Sequence, residues 1–249
     1  MTSKAVLSLA LVASSGLVAL MPGCNSNEDP YKPVPAWSGK KVSLPAPPAL
    51  PTDPIKSGDA YTVYGAIHHL NSLYHNAEVT SKDITIVGYI VDSNIPRAPA
   101  CAVHKTGKKD PDDCKWSDGK DLQIPTIWIS DSKTDEKAPR IRVMGFADNY
   151  ANLFDANEKY QHLKDPPGEK DVVKDELWGV DIPFPLPGVG AKLKVTGRYG
   201  VNFAKSSTGI EADPMHGIMT YQAGGKWEYV EPPPPWDDKN PFFPQLKKK

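Results

Sequence analysis

GAKLKVTGRYGVNF, residues Gly190–Phe203, is the stretch whose alternation decides the fold. Leu193, Val195, Tyr199, Val201 and Phe203 share one parity; Lys192, Lys194, Thr196, Arg198 and Asn202 share the other. A period of two marks a strand with one face on a core and one toward solvent. The run is long for a strand, and Gly197 and Gly200 interrupt it where a closing sheet has to bend. A long, bent, amphipathic strand late in the chain predicts a small closed barrel.

Working outward, Asp83–Asn94 (DITIVGYIVDSN) reads as a strand with Ile84, Ile86 and Ile90 on one face. Its other face carries Thr85, Val87, Tyr89 and Val91, and Gly88 in its middle predicts a bulge or sharp coil. Thr126–Ser130 is a second strand, with Ile127 and Ile129 opposite Trp128, and Arg140–Phe146 a third, with Ile141 and Val143 opposite Arg142 and Met144. Asp148 or Asn149 can cap a helix running to about Leu163 on Leu153, Phe154 and Tyr160. The proline-rich Asp165–Pro187 reads as irregular, Gly190–Phe203 is the fourth strand and Gly217–Gln222 the fifth. Ahead of these, Ser57-Gly58-Asp59 precedes Ala60–His75, where Val63, Ile67, Leu70 and Tyr74 recur at helical spacing. Gly65 weakens that pattern and TVYGAI also reads as a strand, but the spacing favours a helix.

Three strands, a helix and two strands is the order of the OB-fold, and about Asp83 to Gln222 resembles it in topology. The glycine inside the first strand, the bent fourth strand and the final GIMTY segment are similar to that fold too. Through VGYIVDSNIP and CAVHKTGKKDPDDC the chain also resembles uncharacterised secreted OB-like domains of myxobacterial envelope lipoproteins, a resemblance that implies no biochemical activity. An immunoglobulin-type sandwich is the alternative, but it needs about seven strands. The expected fold class is mostly β: a small five-stranded OB-like barrel (β-β-β-α-β-β) with an N-terminal helix and long proline-rich flanks.

Of the 26 prolines, eight lie in Asn25–Ile55 and six in Glu231–Lys249, so neither flank is expected to pack a core. The expected organisation is a signal peptide over 1–23, a lipidated cysteine and tether over 24–56, a domain over 57–230 and a tail over 231–249. Fully extended, the tether reaches about 90 Å at about 3.1 Å per residue. A formal net charge of -1 argues against nucleic acid as partner, because non-specific binders carry a marked basic excess.

Lys4 and the apolar Ala5–Leu20 match the n- and h-regions of an export signal. Leu20-Met21-Pro22-Gly23-Cys24 then resembles the lipobox of bacterial lipoproteins, which implies acylation of Cys24 and a membrane partner. Asn25 stands where an aspartate marks inner-membrane retention in the enterobacterial pattern, so the expected location is the outer membrane, facing the periplasm or the cell surface. Ordinary secretion with cleavage nearby is the alternative.

With Cys24 given to lipid, Cys101 and Cys114 remain as a pair, most simply a disulfide in an exported domain. The alternative is zinc on Cys101, His104 and Cys114, with His68, His69 or His216 as the fourth ligand. His68 and His75 share a helix face two turns apart and offer a second metal pair. The C-x2-H-x9-C spacing matches no known finger, solvated histidines on a helix are far commoner than a metal pair, and no metal or cofactor is expected.

Placing the strand isoleucines in a core leaves Tyr89, Trp128 and Arg142 on the outside, on the face OB-folds use for ligands. Two aromatics and an arginine suit a flat or polyanionic ligand. Against this stands packing: the loop pinned by its disulfide, or the N-terminal helix, can cover the same residues. Asp213 and His216 place acid and base close together, although Asp-Pro ahead of a strand is a turn signal. No G-x-S-x-G, H-E-x-x-H or phosphate loop is present. The tail, with Trp236, Phe242 and Phe243, reads as a spacer or docking peptide. The expectation is a non-catalytic envelope binding or scaffold module whose partner is an envelope protein or glycan. A metal- or haem-handling protein or metal-dependent hydrolase, using histidines near the first long loop, is the alternative.

Overall fold

The computed structural model describes residues 39, 53–71, 79, 82–102, 109–161, 167–168, 170–207 and 209–234. Cys24, the tether up to 52 apart from Gly39, His75, His104, Trp236, Phe242 and Phe243 lie outside the described residues. All described residues except Gly39 belong to the compact unit Leu50–Lys249.

That unit is mostly β, and its eight strands form one mixed sheet. They are β1 (Lys56–Ser57), β2 (Ala60–Thr62), β3 (Ile84–Ser93), β4 (Ile127–Ser130), β5 (Arg140–Met144), β6 (Lys192–Ser206), β7 (Gly209–Thr220) and β8 (Trp227–Glu231). Helix α1 (Val63–Gly65) runs into a π-helical turn, Ala66–Leu70, and helix α2 spans Tyr150–Gln161. The expectation of five strands is therefore corrected to eight. The pair β1–β2 is too short to show a period, and β8 follows a Gly-Gly turn directly against the prolines of the tail.

The pairings run β3–β4, β4–β5, β5–β7, β7–β6 and back from β6 to β3. All are antiparallel except β5–β7, which is parallel. β3 can serve three partners because it is ten residues long: Ile84–Tyr89 pair with β6, while β2 and β4 take successive parts of its other edge. β6 likewise meets β3 and β8 along its first half and β7 along its second. A Cβ at Gly197 would run into the Thr220 carbonyl, so glycine lets β6 pass from one set of partners to the next. The bulge expected at Gly88 lies instead at Ile90–Asp92, where β3 slips against β4.

The alternation places its apolar parity inside. Ile84, Ile86, Ile90, Ile127, Ile129, Ile141, Val143, Leu193, Val195, Tyr199 and Met219 are all buried. The pattern fails at the far end of β6, where Val201 is half-buried and Phe203 is 65% exposed. There four residues of β7, Asp213–His216, stand opposite the single Asn202, and beyond them β6 and β7 pair, among the described residues, only with each other. No layer remains for Phe203 to pack against.

The expected helix Ala60–His75 is corrected to strand followed by helix. Tyr61 and Thr62 pair in parallel with Ile86 and Val87, and the side chain of Thr62 accepts from Gly65 N at 2.8 Å. Asp131, in the β4–β5 turn, accepts from Val63 N and Tyr64 N at 2.9 and 2.7 Å, so sheet and cap together delay the helix to Val63. Thr62 also donates to the Pro54 carbonyl at 2.6 Å. Gly65 belongs to this arrangement, because a Cβ there would collide with the Ile55 carbonyl.

Helix α2 buries Tyr150, Ala151, Leu153, Phe154, Ala156 and Tyr160, with Trp116 edge-on to Tyr150 and Phe184 edge-on to Tyr160. Its first free amides have two acceptors. Asn149 Oδ1 takes Asn152 N at 2.9 Å, and the carboxylate of Asp110 takes Tyr150 N and Ala151 N at 3.0 and 2.9 Å. Asp110 sits in the loop closed by the Cys101–Cys114 disulfide, whose Cα atoms are 5.7 Å apart. Trp116, just past that bridge, packs edge-on against Tyr150. A negative cap on a helix start is stabilising by hydrogen bonding and by the helix dipole. Asp110→Ala should therefore lower stability by about 1–2 kcal/mol. Replacing Cys101 and Cys114 together by serine should lower it by about 3 kcal/mol. Because the loop positions the cap, the combined variant should lose less than the sum, read from urea midpoints of the four proteins.

Candidate functional site

Register builds the outer face of the sheet as a grid. On β5, Arg140 and Arg142 share the face opposite Ile141 and Val143. Arg142 lies opposite Trp128 of β4 and Ile218 of β7; Arg140 lies opposite Ser130 and His216. Facing residues on paired strands sit about 5 Å apart, and the two arginines about 7 Å apart along their strand. Trp128, Arg140, Arg142, His216 and Ile218, with Asn202 and Gly217, line an open cleft of about 390 Å³.

The cleft carries positive charge without a matching carboxylate. Among the described residues, Arg142 makes one polar side-chain contact, from Nη2 to Met144 Sδ at 3.9 Å, and Arg140 one, from Nη2 to the Glu136 carbonyl at 3.3 Å. The Nε groups of both are buried and have no acceptor. Trp128 is half-buried and lines the cleft. No described residue of the disulfide loop or of the N-terminal strand and helix is among those lining residues.

His216 is held from below by the four-residue excursion of β7. Asp213 Oδ1 accepts from Met215 N and His216 N, and Asp213 Oδ2 contacts His216 Nδ1 at 3.0 Å and Asn202 Nδ2 at 3.1 Å. Burial would raise the Asp213 carboxyl, but these donors outweigh it and hold the group below the usual carboxylate range. Asp213 is thus the turn residue of the Asp-Pro segment and the support of His216 at once. No serine, threonine or cysteine lines the cleft beside this pair.

Tyr89 is not part of the cleft. It pairs with Ser130 and Lys192, and the ammonium groups of Lys133 and Lys192 lie over its ring at 4.5 and 4.7 Å. Its hydroxyl donates to Glu231 Oε1 at 3.2 Å, and Lys133 bonds the other oxygen of Glu231 at 2.7 Å. Tyr89 thereby fastens the end of β8 to the β4–β5 turn. The structure brings Trp128 and Arg142 together, and with them Arg140, Asn202, His216 and Ile218, which sequence reasoning did not join to the site. The i, i+2 spacing of Arg140 and Arg142 on one strand was the signal available for the first of these.

The metal alternative loses its two thiolates, because Cys101 and Cys114 are joined to each other. His68 is exposed with its ring 4.3 Å from that of Tyr64, and His69 lies 6.2 Å from Tyr61. Among the described residues no three His, Cys, Asp or Glu side chains converge as a metal site.

One pair of carboxylates departs from ordinary titration. Burial first, and then the hydrogen bond and charge of Asp175, push Asp148 up to about 6, while Asp175 stays below the usual range. Such a pair is a candidate general acid in a cleft. Here it organises the start of α2. Asp175 accepts from Asp148 N, Leu177 N and Trp178 N, and Asp148 accepts from the side chains of Asn149 and Asn152. It shares no residue with the cleft.

No protein-family model matches the chain, and no curated protein matches its sequence.

The Asp148 shift has a sign that can be checked. A carboxyl whose folded pKa is raised binds its proton more tightly in the native state, so stability falls as pH rises from about 4 through about 6. Asp148→Asn should remove that fall and raise stability at pH 7, on the order of 1 kcal/mol once solvent screening of the half-exposed Asp148 is discounted. Denaturant midpoints at pH 4, 5, 6 and 7 for both proteins check it; an unchanged slope between pH 4 and 6 would contradict it.

Proposed function

We propose that this chain is a non-catalytic binding lipoprotein of the bacterial cell envelope, and that Trp128, Arg140 and Arg142 form its ligand face. The observation that carries the reading is an aromatic ring and two guanidinium groups lining one open cleft with no carboxylate among the described residues paired to either arginine. Residues placed only for packing do not ordinarily leave two charged donors unanswered. On the same reading, β3, β4, β5, β6 and β7 correspond to the five strands of an OB-like barrel. Their cyclic pairing, with α2 between the third and fourth of them, supports it. On that reading the cleft occupies the sheet face that such barrels use for ligands.

The anchor rests on Gly23-Cys24 after the apolar run Ala5–Leu20, and on the likeness to myxobacterial envelope lipoproteins. Cys24 would be acylated, and the proline-rich stretch after it would carry the domain clear of the outer membrane toward an envelope protein or glycan.

Two substitutions test the two halves of this reading. Cys24→Ser should abolish acyl labelling and release the protein from membranes; retention of the variant would remove the anchor. Trp128→Ala should weaken capture of cross-linked envelope partners by about 1–3 kcal/mol of stacking while the melting temperature changes little. Unchanged capture with a large drop in melting temperature would assign Trp128 to packing.

A further inference from the structure

We infer that the cleft over β4, β5 and β7 is an oxyanion site, in which Arg140 and Arg142 hold a phosphate or carboxylate of a ligand whose flat face lies on Trp128. The inference rests on the reading of this face as the ligand face and adds the chemistry of what it takes. Its starting point is the two buried Nε groups without acceptors. A guanidinium presents its N–H groups as a planar fork, matched in geometry to two oxygens of one anion. The acceptors these arginines do have, a thioether and a backbone carbonyl, neutralise no charge.

Neighbouring carboxylates do not fill the role. Asp213 is committed to two backbone amides, His216 and Asn202. Asp92, Asp135 and Glu136 line a second depression with Lys133, and Arg140 is the one residue common to both depressions. Negative charge on that side repels an anion, and so confines it to the side of Trp128 and Arg142. There Trp128, half-buried and lining the cleft, offers an indole ring. A volume of about 390 Å³ admits a ring bearing an anionic group. Ile218, on the opposite side of Arg142 from Trp128, closes the apolar half of the cleft.

The full chain labelled with 15N-tryptophan gives one indole N–H signal for each of its six tryptophans; Trp128→Phe assigns the one in the cleft. Titration with phenyl phosphate and with benzoate should shift the Trp128 signal saturably, and uncharged benzyl alcohol should not. Whichever anion saturates it at the lower concentration names the source of the oxyanion. Arg142→Gln and Arg140→Gln should each weaken the binding at least tenfold with the other five indole signals unmoved, and Arg142→Lys should recover part of it. Should Arg142→Gln fail to fold, Arg140→Gln and competition by inorganic phosphate on the unsubstituted chain decide the matter. No saturable shift with either anion would overturn the inference. So would an equal shift with benzyl alcohol, or anion binding indifferent to both glutamine variants. Loss of envelope capture in Trp128→Ala without any anion binding would leave the ligand face standing and reject only the oxyanion.

Discussion

The antiparallel contact between β3 and β6 is the constraint on which the rest of the domain depends. Six consecutive pairs, from Ile84–Gly197 to Tyr89–Lys192, join segments more than a hundred positions apart in the chain. Without that contact the other four pairings form an open ribbon, with the apolar faces of β3 and β6 meeting water at its two edges. With it, Ile84, Ile86, Leu193 and Val195 face a shared interior. Burying each such side chain contributes about 1.5–3 kcal/mol before chain entropy is subtracted. On the outer side the same pairing brings Thr85 and Thr196 into a direct hydroxyl contact at 2.8 Å.

Closure also explains where the cleft lies. β5 reaches the cycle through a parallel pairing with β7, and that register places His216 and Ile218 beside Arg140 and Arg142. The antiparallel β4 fixes Trp128 on the other side. A one-residue slip in either register would turn these side chains inward and the isoleucines outward. The chemistry of the face is therefore as firmly set as the core beneath it, although its residues come from three strands and a bulge.

Much of this was legible from alternation alone. Ile127, Ile129, Ile141 and Val143 read as core because each strand is short, regular and flanked by turn residues, and Trp128 and Arg142 followed as their outward neighbours. Period-two reasoning lost its grip wherever a partner, and not the local pattern, decides. Phe203 has the parity of Tyr199 yet stands exposed, because its neighbours in the sheet have ended. Ala60–Thr62 leads into the helical spacing of Val63, Ile67 and Leu70 but takes a place beside β3, and Asp131, far along the chain, sets where the helix begins. His216 joined the cleft through a bulge that sets four residues of β7 against one of β6, and such an insertion leaves no mark in either segment alone. Trp227 and Tyr229 of β8 do alternate with Glu228 and Val230, so that strand was readable; its position against the proline run obscured it.

The strap formed by β1 and β2 gives the domain a mechanical polarity. The chain enters at Asp53, crosses beneath Gly65 at Ile55, turns through Gly58-Asp59 and then lies parallel to β3. A pull on the residues ahead of Asp53 acts first on the bonds from Thr62 to Pro54 and Ile55 and on the two-residue pairing of β1 with β2. These few bonds can open one after another while the cycle of five strands keeps all of its own. A load on that stretch would thus meet this clasp before it reached the cycle of five strands that carries Trp128, Arg140 and Arg142.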